Sequence, residues 1–331
     1  MTGTPKLALL IPAYNAAAYL PRLLQSAHNQ REPFDEILVY DDCSTDSTAA
    51  VAEQMGAGVI RGQINKGCSH GKNALARATA AEWIHFHDAD DELLPNFVSR
   101  AHLWMRDGRF DAVLFPYEER DAAIGRQIAT RRFDPDDIIR DARSYALRVP
   151  INSICGLYRR SAFLAAGGYD EDPRVLYNED AAAHIRLTFA GLSFAADTEI
   201  SIINHRQLNS MSAANQLKCL QAQFEVMRKT AQRAEAAPYA FEIARRLWAI
   251  VAGLASQQDW QTADAGAALA VALAGLKALP PGRLFRNLCR ISPFYALRIR
   301  EALIRVFKPW LRTSYPRWRN PFYATPTPVT R

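Results

Sequence analysis

The chain has 331 residues, 49% of them hydrophobic, and carries a net charge of +6. A chain of this length can bury a large core, so we expect a soluble globular protein with more than one domain. No apolar run approaches the roughly 18 residues that a transmembrane helix needs, and the apolar run at the N-terminus lacks the basic leader of a signal peptide. The five cysteines are scattered and form no Cys-x-x-Cys pair, which argues against a disulfide framework and a zinc site. These features predict a protein of the reducing cytoplasm.

The positive charge is concentrated towards the C-terminal end. Residues 281–331 contain eleven Lys and Arg residues and a single acid, Glu301, so this segment carries +10. The preceding 280 residues therefore carry −4 of the total of +6. A mildly acidic body offers no continuous basic surface, which argues against nucleic acid as a partner.

Short apolar runs alternate with helical patterns along the first part of the chain. The predicted strands are KLALLIP, EILVYDD, AGVI and EWIHFHDADD. The segments that follow the first three strands have helical patterns, as the spacing of Leu20, Leu23 and Leu24 shows after the first. Almost continuously apolar strands that alternate with helices indicate a parallel sheet covered on both faces. Such sheets bind ligands beyond the carboxyl ends of their strands.

The fourth predicted strand runs into an acidic stretch. Its sequence HFHDADDEL places Asp88, Asp90, Asp91 and Glu92 within five positions. Carboxylates this close repel one another, although aspartates are also common in turns. Because the stretch follows a buried strand, we favour a hard divalent cation, Mg²⁺ or Mn²⁺, which binds one or two carboxylates and completes its shell with waters and substrate phosphates. The sequence therefore predicts a diphosphate ligand at this edge of the sheet.

A second acidic cluster precedes a predicted helix further along the chain. Asn178, Glu179 and Asp180 come directly before AAAHIRLTFAG, whose helical pattern ends at Gly191. Acids at a helix N-terminus are favoured by the helix dipole, so capping explains them without a catalytic role. One of them could equally act as a general base for an attacking hydroxyl. The residues themselves leave both interpretations open.

Four segments, in this order, resemble the signatures of family 2 glycosyltransferases. They are IPAYNAAAYLPRLLQSAHNQ, EILVYDDCSTDST, NKGCSHGKNALARATAAEWIHFHDADDEL and GGYDEDPRVLYNEDAAAHIRL, within a resemblance that covers residues 6 to about 210. The resemblance implies the GT-A fold, which is α/β with a Rossmann-like mixed sheet and helices on both faces, followed here by a C-terminal helical region. It also implies an inverting enzyme with a nucleotide-sugar donor, for which we expect a UDP-sugar, and with Mn²⁺ or Mg²⁺ as cofactor.

The resemblance further implies roles for residues of the acidic motifs. Asp180 would be the general base, and Glu179 would orient the acceptor or the donor sugar. Asp90 would coordinate the metal, and Asp88 beside it would contact the ribose or the metal. His205, in the segment after the base, would help to close over the diphosphate and is a further candidate metal ligand.

A second set of residues is implied to bind the nucleotide-sugar. Asp42 would contact the nucleotide base, and Tyr14 would line the same pocket. Pro12 and Ala89 lie in the corresponding motifs and join this set. Lys72 stands where the family often has a basic residue near the nucleotide, and a solvated helix lysine is the alternative interpretation.

Beyond residue 215 the resemblance ends. Three segments with helical patterns predict an accessory region over residues 213–280, after a catalytic domain over residues 1–212. Residues 281–331 form the third predicted part, a basic, amphipathic and aromatic-rich tail.

The tail is predicted to contain an interfacial helix. Its charged residues recur at spacings of three and four and share one helical face, namely Arg298, Glu301, Arg305, Lys308 and Arg312. Much of the remainder is apolar, including Leu297, Leu303, Ile304 and Phe307. Such a helix is typical of attachment to a membrane surface, and packing on the protein's own body is the alternative. We therefore expect a peripheral protein on the inner face of the cytoplasmic membrane.

Two other enzyme classes also place acids at a strand end, the metal-dependent phosphohydrolases and the sugar nucleotidyltransferases. The former would need an Asp-x-Asp after the first strand, where this chain has PAYN, and the latter a glycine-rich phosphate loop, whereas residues 11–25 contain no glycine. We therefore favour sugar transfer to a hydroxyl of a saccharide or lipid-linked acceptor in surface polysaccharide or glycolipid synthesis. The sugar, the acceptor and the oligomeric state stay open, and a homo-oligomer is one option.

Overall fold

The computed structural model describes residues 5–207, 215–280 and 282–313, which form two compact units. The first unit contains residues 5–146, 151–172 and 179–207, and the second contains residues 147–150, 173–178, 215–280 and 282–313. The second unit thus combines the predicted accessory region with the described part of the predicted tail. The predicted boundary at residue 212 lies outside the described residues.

The first unit is built on a seven-stranded sheet. Its strands are β1 (Leu7–Ala13), β2 (Glu36–Asp41), β3 (Gly58–Arg61), β4 (Trp83–Phe86), β6 (Ala112–Leu114), β9 (Gly156–Arg159) and β10 (Phe194–Ala196). Their spatial order is β10, β6, β9, β4, β1, β2, β3. Strand β9 is antiparallel to both β4 and β6, whereas the other neighbouring pairs are parallel. The mixed sheet confirms the expected fold class and corrects the fully parallel sheet that the strand pattern indicates.

A second, smaller sheet completes the strands of this unit. It consists of β5 (Glu92–Leu93), β7 (Tyr117–Asp121), β8 (Gln127–Arg131) and β11 (Ile202–Arg206), in the order β5, β11, β7, β8. Because β5 begins at Glu92 and pairs with β11, the acidic stretch after β4 leads directly from the large sheet into the small one.

The four strands predicted from the sequence form the centre and one side of the large sheet. Leu7 to Ile11 of β1 are fully buried, and all four residues of β4 are buried. The register pairs Leu10 with Leu38 of β2 and with Phe86 of β4. The carboxyl ends of β1, β2 and β4 therefore share one edge, which the polar residues of the motifs follow.

Helices connect and follow these strands. They are α1 (Leu20–His28), α2 (Thr48–Gln54), α3 (Cys68–Ala78), α4 (Phe97–Asp107), α5 (Pro135–Arg140), α6 (Ala142–Arg148), α7 (Arg160–Ala165) and α8 (Glu179–Phe189). Helix α1 buries Leu20, Leu23, Leu24 and Ala27, as its apolar spacing predicts.

The second unit is helical. Its α-helices are α9 (Gln216–Ala231), α10 (Ala240–Ser256), α11 (Trp260–Ala274), α12 (Arg283–Ile291), α13 (Pro293–Phe307) and α14 (Trp310–Thr313). The first three confirm the helices predicted for the accessory region. A Cβ at Gly253 would lie 2.7 Å from Leu220, and one at Gly266 would lie 2.7 Å from Val251. Glycine at these two positions therefore allows α9, α10 and α11 to approach closely.

Helix α13 turns part of its predicted charged face inward. Glu301 is 3% exposed and lies 2.9 Å from Arg305 and 2.7 Å from Arg312, while Arg298 lies 2.8 Å from Asp264 of α11. Leu297 is buried as well, so it is not available for contact with a membrane, contrary to the expectation from the sequence. The reason is that carboxylates within the unit neutralise these arginines and let the face pack.

The apolar side of the C-terminal helices is exposed. The exposed large apolar side chains of these helices are Leu284, Ile291, Phe294, Tyr295, Ile299, Leu303, Val306, Phe307, Trp310 and Leu311. Among the residues that the structure describes, no helix combines the length and the apolar character needed to cross a bilayer.

Candidate active site

The acidic stretch after β4 divides into two functional pairs. Asp91 is 1% exposed, and its carboxylate accepts hydrogen bonds from the backbone N–H of His205 at 2.7 Å and from the side chain of Asn204 at 2.8 Å. Glu92 lies 3.1 Å from the imidazole of His205. These two acids therefore fix β11 beside the strand end, which leaves Asp88 and Asp90 as the pair for a ligand.

Asp88 and Asp90 are carboxylates partly removed from water. Desolvation, opposed by Lys72 and reinforced by Asp180 and Asp90, raises the pKa of Asp88 to about 6. Desolvation also raises the pKa of Asp90, whose carboxylate accepts a hydrogen bond from the side chain of Gln207 at 3.0 Å. A divalent cation would relieve the repulsion that these oxygens experience, so the pair fits a magnesium or manganese site.

The residues that the structure describes do not by themselves form a full set of metal ligands. Within the described ranges, no three His, Cys, Asp or Glu side chains are placed to hold an ion together. In the predicted set of Asp90, Asp88 and His205, the imidazole of His205 lies 3.1 Å from Glu92, and the role of the set as metal ligands stays a prediction. A Mg²⁺-type ion that is bound by one or two carboxylates takes its remaining ligands from water and substrate phosphates.

Lys72 of α3 lies between the two acidic motifs. Its side chain is 1% exposed, and its Nζ lies 3.2 Å from Asp180 and 3.9 Å from Asp88. The ammonium also stands 4.7 Å from the centre of the Tyr169 ring. Burial alone would lower the pKa of Lys72, but Asp180 and the other groups around it raise that pKa well above its usual value. The alternative of a solvated lysine is therefore wrong.

Asp180 is positioned by the first turn of α8. Burial lowers the pKa of His184, one turn further on, to about 4, so its ring is neutral. Its Nδ1 lies 2.7 Å from the carbonyl oxygen of Asp180, and its Nε2 lies 2.7 Å from the hydroxyl of Tyr158. Because a carbonyl oxygen only accepts, we assign the proton to Nδ1, and Tyr158 donates to Nε2. Strand β9 thereby holds the start of α8 in place.

Glu179 differs from its neighbour Asp180. Burial, followed by the repulsion from Asp180, raises the pKa of Glu179 to about 8, with Lys72 opposing both effects. A carboxyl group with this pKa is largely protonated at neutral pH and can donate a hydrogen bond. Asp180, by contrast, accepts a hydrogen bond from the ammonium of Lys72. The two adjacent acids are thus suited to different roles.

Of the predicted nucleotide-binding residues, Tyr14 and Asp42 directly follow β1 and β2, Pro12 lies within β1, Lys72 lies in α3, and Asp88 and Ala89 come shortly after β4. Asp42 is 5% exposed, and its two oxygens accept hydrogen bonds from the backbone N–H groups of Lys66 and Gly67 at 2.8 and 2.7 Å. It therefore anchors the start of α3 while it retains lone pairs for a ligand. Tyr14 is 52% exposed and available for contact.

Sequence analysis does not identify several residues that build the site. Asn73 donates to the carbonyl of Tyr169 at 3.0 Å and accepts from its N–H at 2.9 Å. Gly168, with φ +58°, permits this approach, because a Cβ there would lie 2.4 Å from the Asn73 oxygen. The hydroxyl of Ser153 lies 3.5 Å from the Asp88 carboxylate, and the side-chain amide of Gln207 lies 3.0 Å from the Asp90 carboxylate. The position of Asn73 next to Lys72 is the one local signal for any of them.

The chain is similar to known proteins in sequence and in fold. Residues 8–165 match the model of the family described as glycosyl transferase family 2. The chain spans 14 to 60% of the length of the first curated relatives that it matches. Another relative, the GalNAc(5)-diNAcBac-PP-undecaprenol beta-1,3-glucosyltransferase of Campylobacter jejuni, is 33% identical over 101 residues, which are 29% of this chain and 33% of that protein.

Two solved structures share the fold. S. aureus TarS 1-349 in complex with UDP-GlcNAc has a TM-score of 0.71 and 16% identity, over 91% of this chain and 92% of that chain. The mannosyltransferase PcManGT from Pyrobaculum calidifontis, in complex with GDP-Man and Mn²⁺, has a TM-score of 0.58 and 19% identity, over 94% of this chain and 84% of that chain. At these identities the likeness shows the fold alone.

The raised pKa of Glu179 predicts a pH-dependent stability. Between its unfolded pKa near 4.5 and its folded pKa of about 8, the folded state binds more protons than the unfolded state, so stability falls as pH rises. Between pH 6.5 and 8, the free energy of unfolding of wild type should fall by about 1 to 2 kcal/mol more than that of Glu179→Gln. A difference of one bound proton between the folded and unfolded states changes this free energy by about 1.4 kcal/mol per pH unit. Urea unfolding in chelator measures this difference. Glu53→Gln, an exposed acid paired with Arg61, is the control and should behave as wild type. Parallel curves for wild type and Glu179→Gln would contradict the assignment.

Proposed function

Because residues 8–165 belong to glycosyl transferase family 2, we propose that the chain transfers a sugar from a UDP-sugar, with inversion, to a hydroxyl of a saccharide or lipid-linked acceptor. The observation that carries this proposal is the contact of the Asp180 carboxylate with buried Lys72, whose ammonium also faces Asp88. A candidate base and a candidate diphosphate site thus lie on either side of one fixed cation. A phosphohydrolase or sugar nucleotidyltransferase is set aside because of the family to which these residues belong.

Asp180 is the general base in this proposal. It would take the proton of the acceptor hydroxyl as that oxygen attacks the anomeric carbon, on the face opposite the leaving nucleoside diphosphate. Glu179, whose raised pKa keeps it largely protonated at neutral pH, is suited to donate a hydrogen bond to a sugar hydroxyl. Lys72 donates a hydrogen bond to one Asp180 oxygen and so holds the carboxylate in place beside the acceptor site.

Asp88 and Asp90 would hold the divalent metal, and Mn²⁺ or Mg²⁺ suits their oxygen donors. When bound, the metal stabilises negative charge on the leaving diphosphate as a Lewis acid. The mannosyltransferase PcManGT, which shares the fold, was solved with Mn²⁺. Asp42, Tyr14, Pro12 and Ala89 would bind the uridine part, and TarS, solved with UDP-GlcNAc, supports a uridine donor.

The acceptor is proposed to belong to surface polysaccharide or glycolipid synthesis at the inner face of the cytoplasmic membrane. The Campylobacter jejuni relative is named for a PP-undecaprenol-linked acceptor. In the second unit, exposed apolar side chains accompany a basic sequence, which is the pattern of an interfacial surface. Assembly into a homo-oligomer stays a prediction.

Asp180→Asn should fold and bind the UDP-sugar but lose transfer by at least about a hundredfold, because the acceptor hydroxyl would lack its base. Glu179→Gln is the matched control at the neighbouring position. It should keep transfer within about tenfold at pH 7, since its neutral amide resembles the protonated acid. Initial rates and donor affinities of both variants measure this contrast. Near-normal transfer by Asp180→Asn would place the base elsewhere.

Asp90→Ala should weaken binding of a UDP-sugar in the presence of Mn²⁺ by at least about tenfold, the loss that one charged contact typically gives. Chelator should weaken binding by wild type to a similar degree and should have little further effect on the variant. Titration calorimetry with and without Mn²⁺ tests both statements. Asp136→Ala, which removes an exposed acid of α5, serves as control. Metal-dependent binding that Asp90→Ala leaves unchanged would refute the ligand assignment.

Membrane attachment is tested on exposed side chains, because deletion of residues 281–331 would also remove buried Leu297 and Glu301. The triple variant Val306→Ser, Phe307→Ser and Trp310→Ser should lose most co-sedimentation with anionic liposomes, since apolar burial in the interface is removed. The control exchanges three exposed apolar residues of the first unit, Leu103, Ile124 and Ile139, for serine. Equal sedimentation of the two triple variants would exclude this surface as the attachment site.

A further inference from the structure

Two neighbouring cavities lie among the helices of the second unit. One has a volume of about 440 Å³ and lies between α12 and α13. The other has a volume of about 420 Å³ and is lined by α10, by residues 277–280 and by α13. Both volumes lie within the range of small-molecule sites. The cavities share two lining residues, Phe285 and Arg300, so one cationic side chain forms part of both walls.

The walls combine apolar and basic groups. Leu288, Leu303 and Phe307 line the first cavity, and Trp248 and Leu279 line the second. The remaining charged lining residues are Arg283 and Lys308 in the first cavity and Arg245 and Lys277 in the second. No acidic residue of the described chain lines either cavity. The ligand that complements these walls is apolar and carries a negative charge.

Arg300 differs from the other arginines of α13. Arg298 is paired with Asp264 and Arg305 with Glu301, whereas half-buried Arg300 forms no hydrogen bond or ion pair with a described residue. Its guanidinium stands 5.7 Å from the centre of the Phe285 ring. Burial, with the nearby Arg312 charge adding to it, lowers the pKa of Arg300, and the neighbouring Glu301 carboxylate only partly opposes this shift. A partly buried cation of this kind is stabilised by a bound anion.

We propose that Arg300 binds the phosphate of a two-chain anionic glycerophospholipid and that one acyl chain enters each cavity. Two hydrocarbon chains that diverge near one phosphate match two largely apolar cavities that share one cation in their walls. This inference rests on the proposed membrane attachment and adds to it a specific lipid as partner.

The test uses dihexanoyl phosphatidylglycerol below the concentration at which it forms micelles, with full-length protein and titration calorimetry. Wild type should bind it, and should bind dihexanoyl phosphatidylcholine, inorganic phosphate and farnesyl phosphate at least about tenfold more weakly. Arg300→Gln should weaken the dihexanoyl phosphatidylglycerol affinity by about tenfold or more, because a charge-assisted contact is lost. Arg300→Lys, which keeps the charge, should retain part of the affinity and guards against a folding defect.

Two further variants separate the parts of the site. Arg286→Gln removes an exposed charge of α12 that lines neither cavity and should leave binding unchanged. Ala249→Phe narrows the second cavity. It should weaken binding of the two-chain lipid by several-fold and leave binding of the corresponding one-chain lysolipid unchanged.

Equal affinity of wild type and Arg300→Gln for dihexanoyl phosphatidylglycerol would overturn the inference. So would a preference for farnesyl phosphate, which would indicate an isoprenoid site, or equally tight binding of inorganic phosphate, which would indicate an anion site alone. Liposome sedimentation and sugar transfer by wild type are measured separately. If wild type sediments and transfers sugar but Arg300→Gln binds the lipid normally, this inference alone has failed.

Discussion

The buried ammonium of Lys72 is the interaction on which the active site depends. Helix α3 carries it, the end of β4 provides Asp88, and the start of α8 provides Asp180, so three distant chain segments converge on one charge. Removal of one partner from a buried ion pair lowers the stability of a protein by about 3–5 kcal/mol. Here the loss of stability is smaller, because the side chains of Asp180 and Asp88 are 27% and 35% exposed. Loss of a carboxylate would affect Lys72 most, because its side chain is 1% exposed and would retain a charge that this carboxylate no longer compensates.

The same cation explains how two adjacent acids acquire different properties. Lys72 contacts Asp180 but only opposes, at longer range, the burial that raises the pKa of Glu179. One acid is thereby suited to accept a proton and the other to donate a hydrogen bond. Neutral His184 and Tyr158 add rigidity, since they tie the Asp180 backbone to β9 without placing another charge nearby.

Local sequence signals predict secondary-structure elements and strand ends better than they predict which distant segments contact one another. The apolar runs predict β1 to β4 because a buried parallel strand requires side chains that are apolar on both faces. They do not predict that β9 is antiparallel. Its direction is set by pairing with β4, which lies more than 70 positions earlier in the chain, and a local pattern carries no information about so distant a segment. For the same reason the pattern places Asp88 and Asp90 at a strand end but gives no indication that Asp91 binds β11.

The C-terminal helices show why amphipathic spacing alone does not determine orientation. In α13 the spacing defines a charged face and an apolar face, and the conventional expectation is that the apolar face packs inward. Arg298 and Glu301 instead find partners within the unit, so the charged face is partly enclosed while Val306 and Phe307 remain 69% and 68% exposed. Exposure of this much apolar surface is unfavourable in water and typical of surfaces that contact a membrane or a partner. The carboxylates that neutralise two arginines therefore determine which side of the helix is left for an external ligand, and among the described residues none forms a hydrogen bond or an ion pair with Arg300 of the same helix.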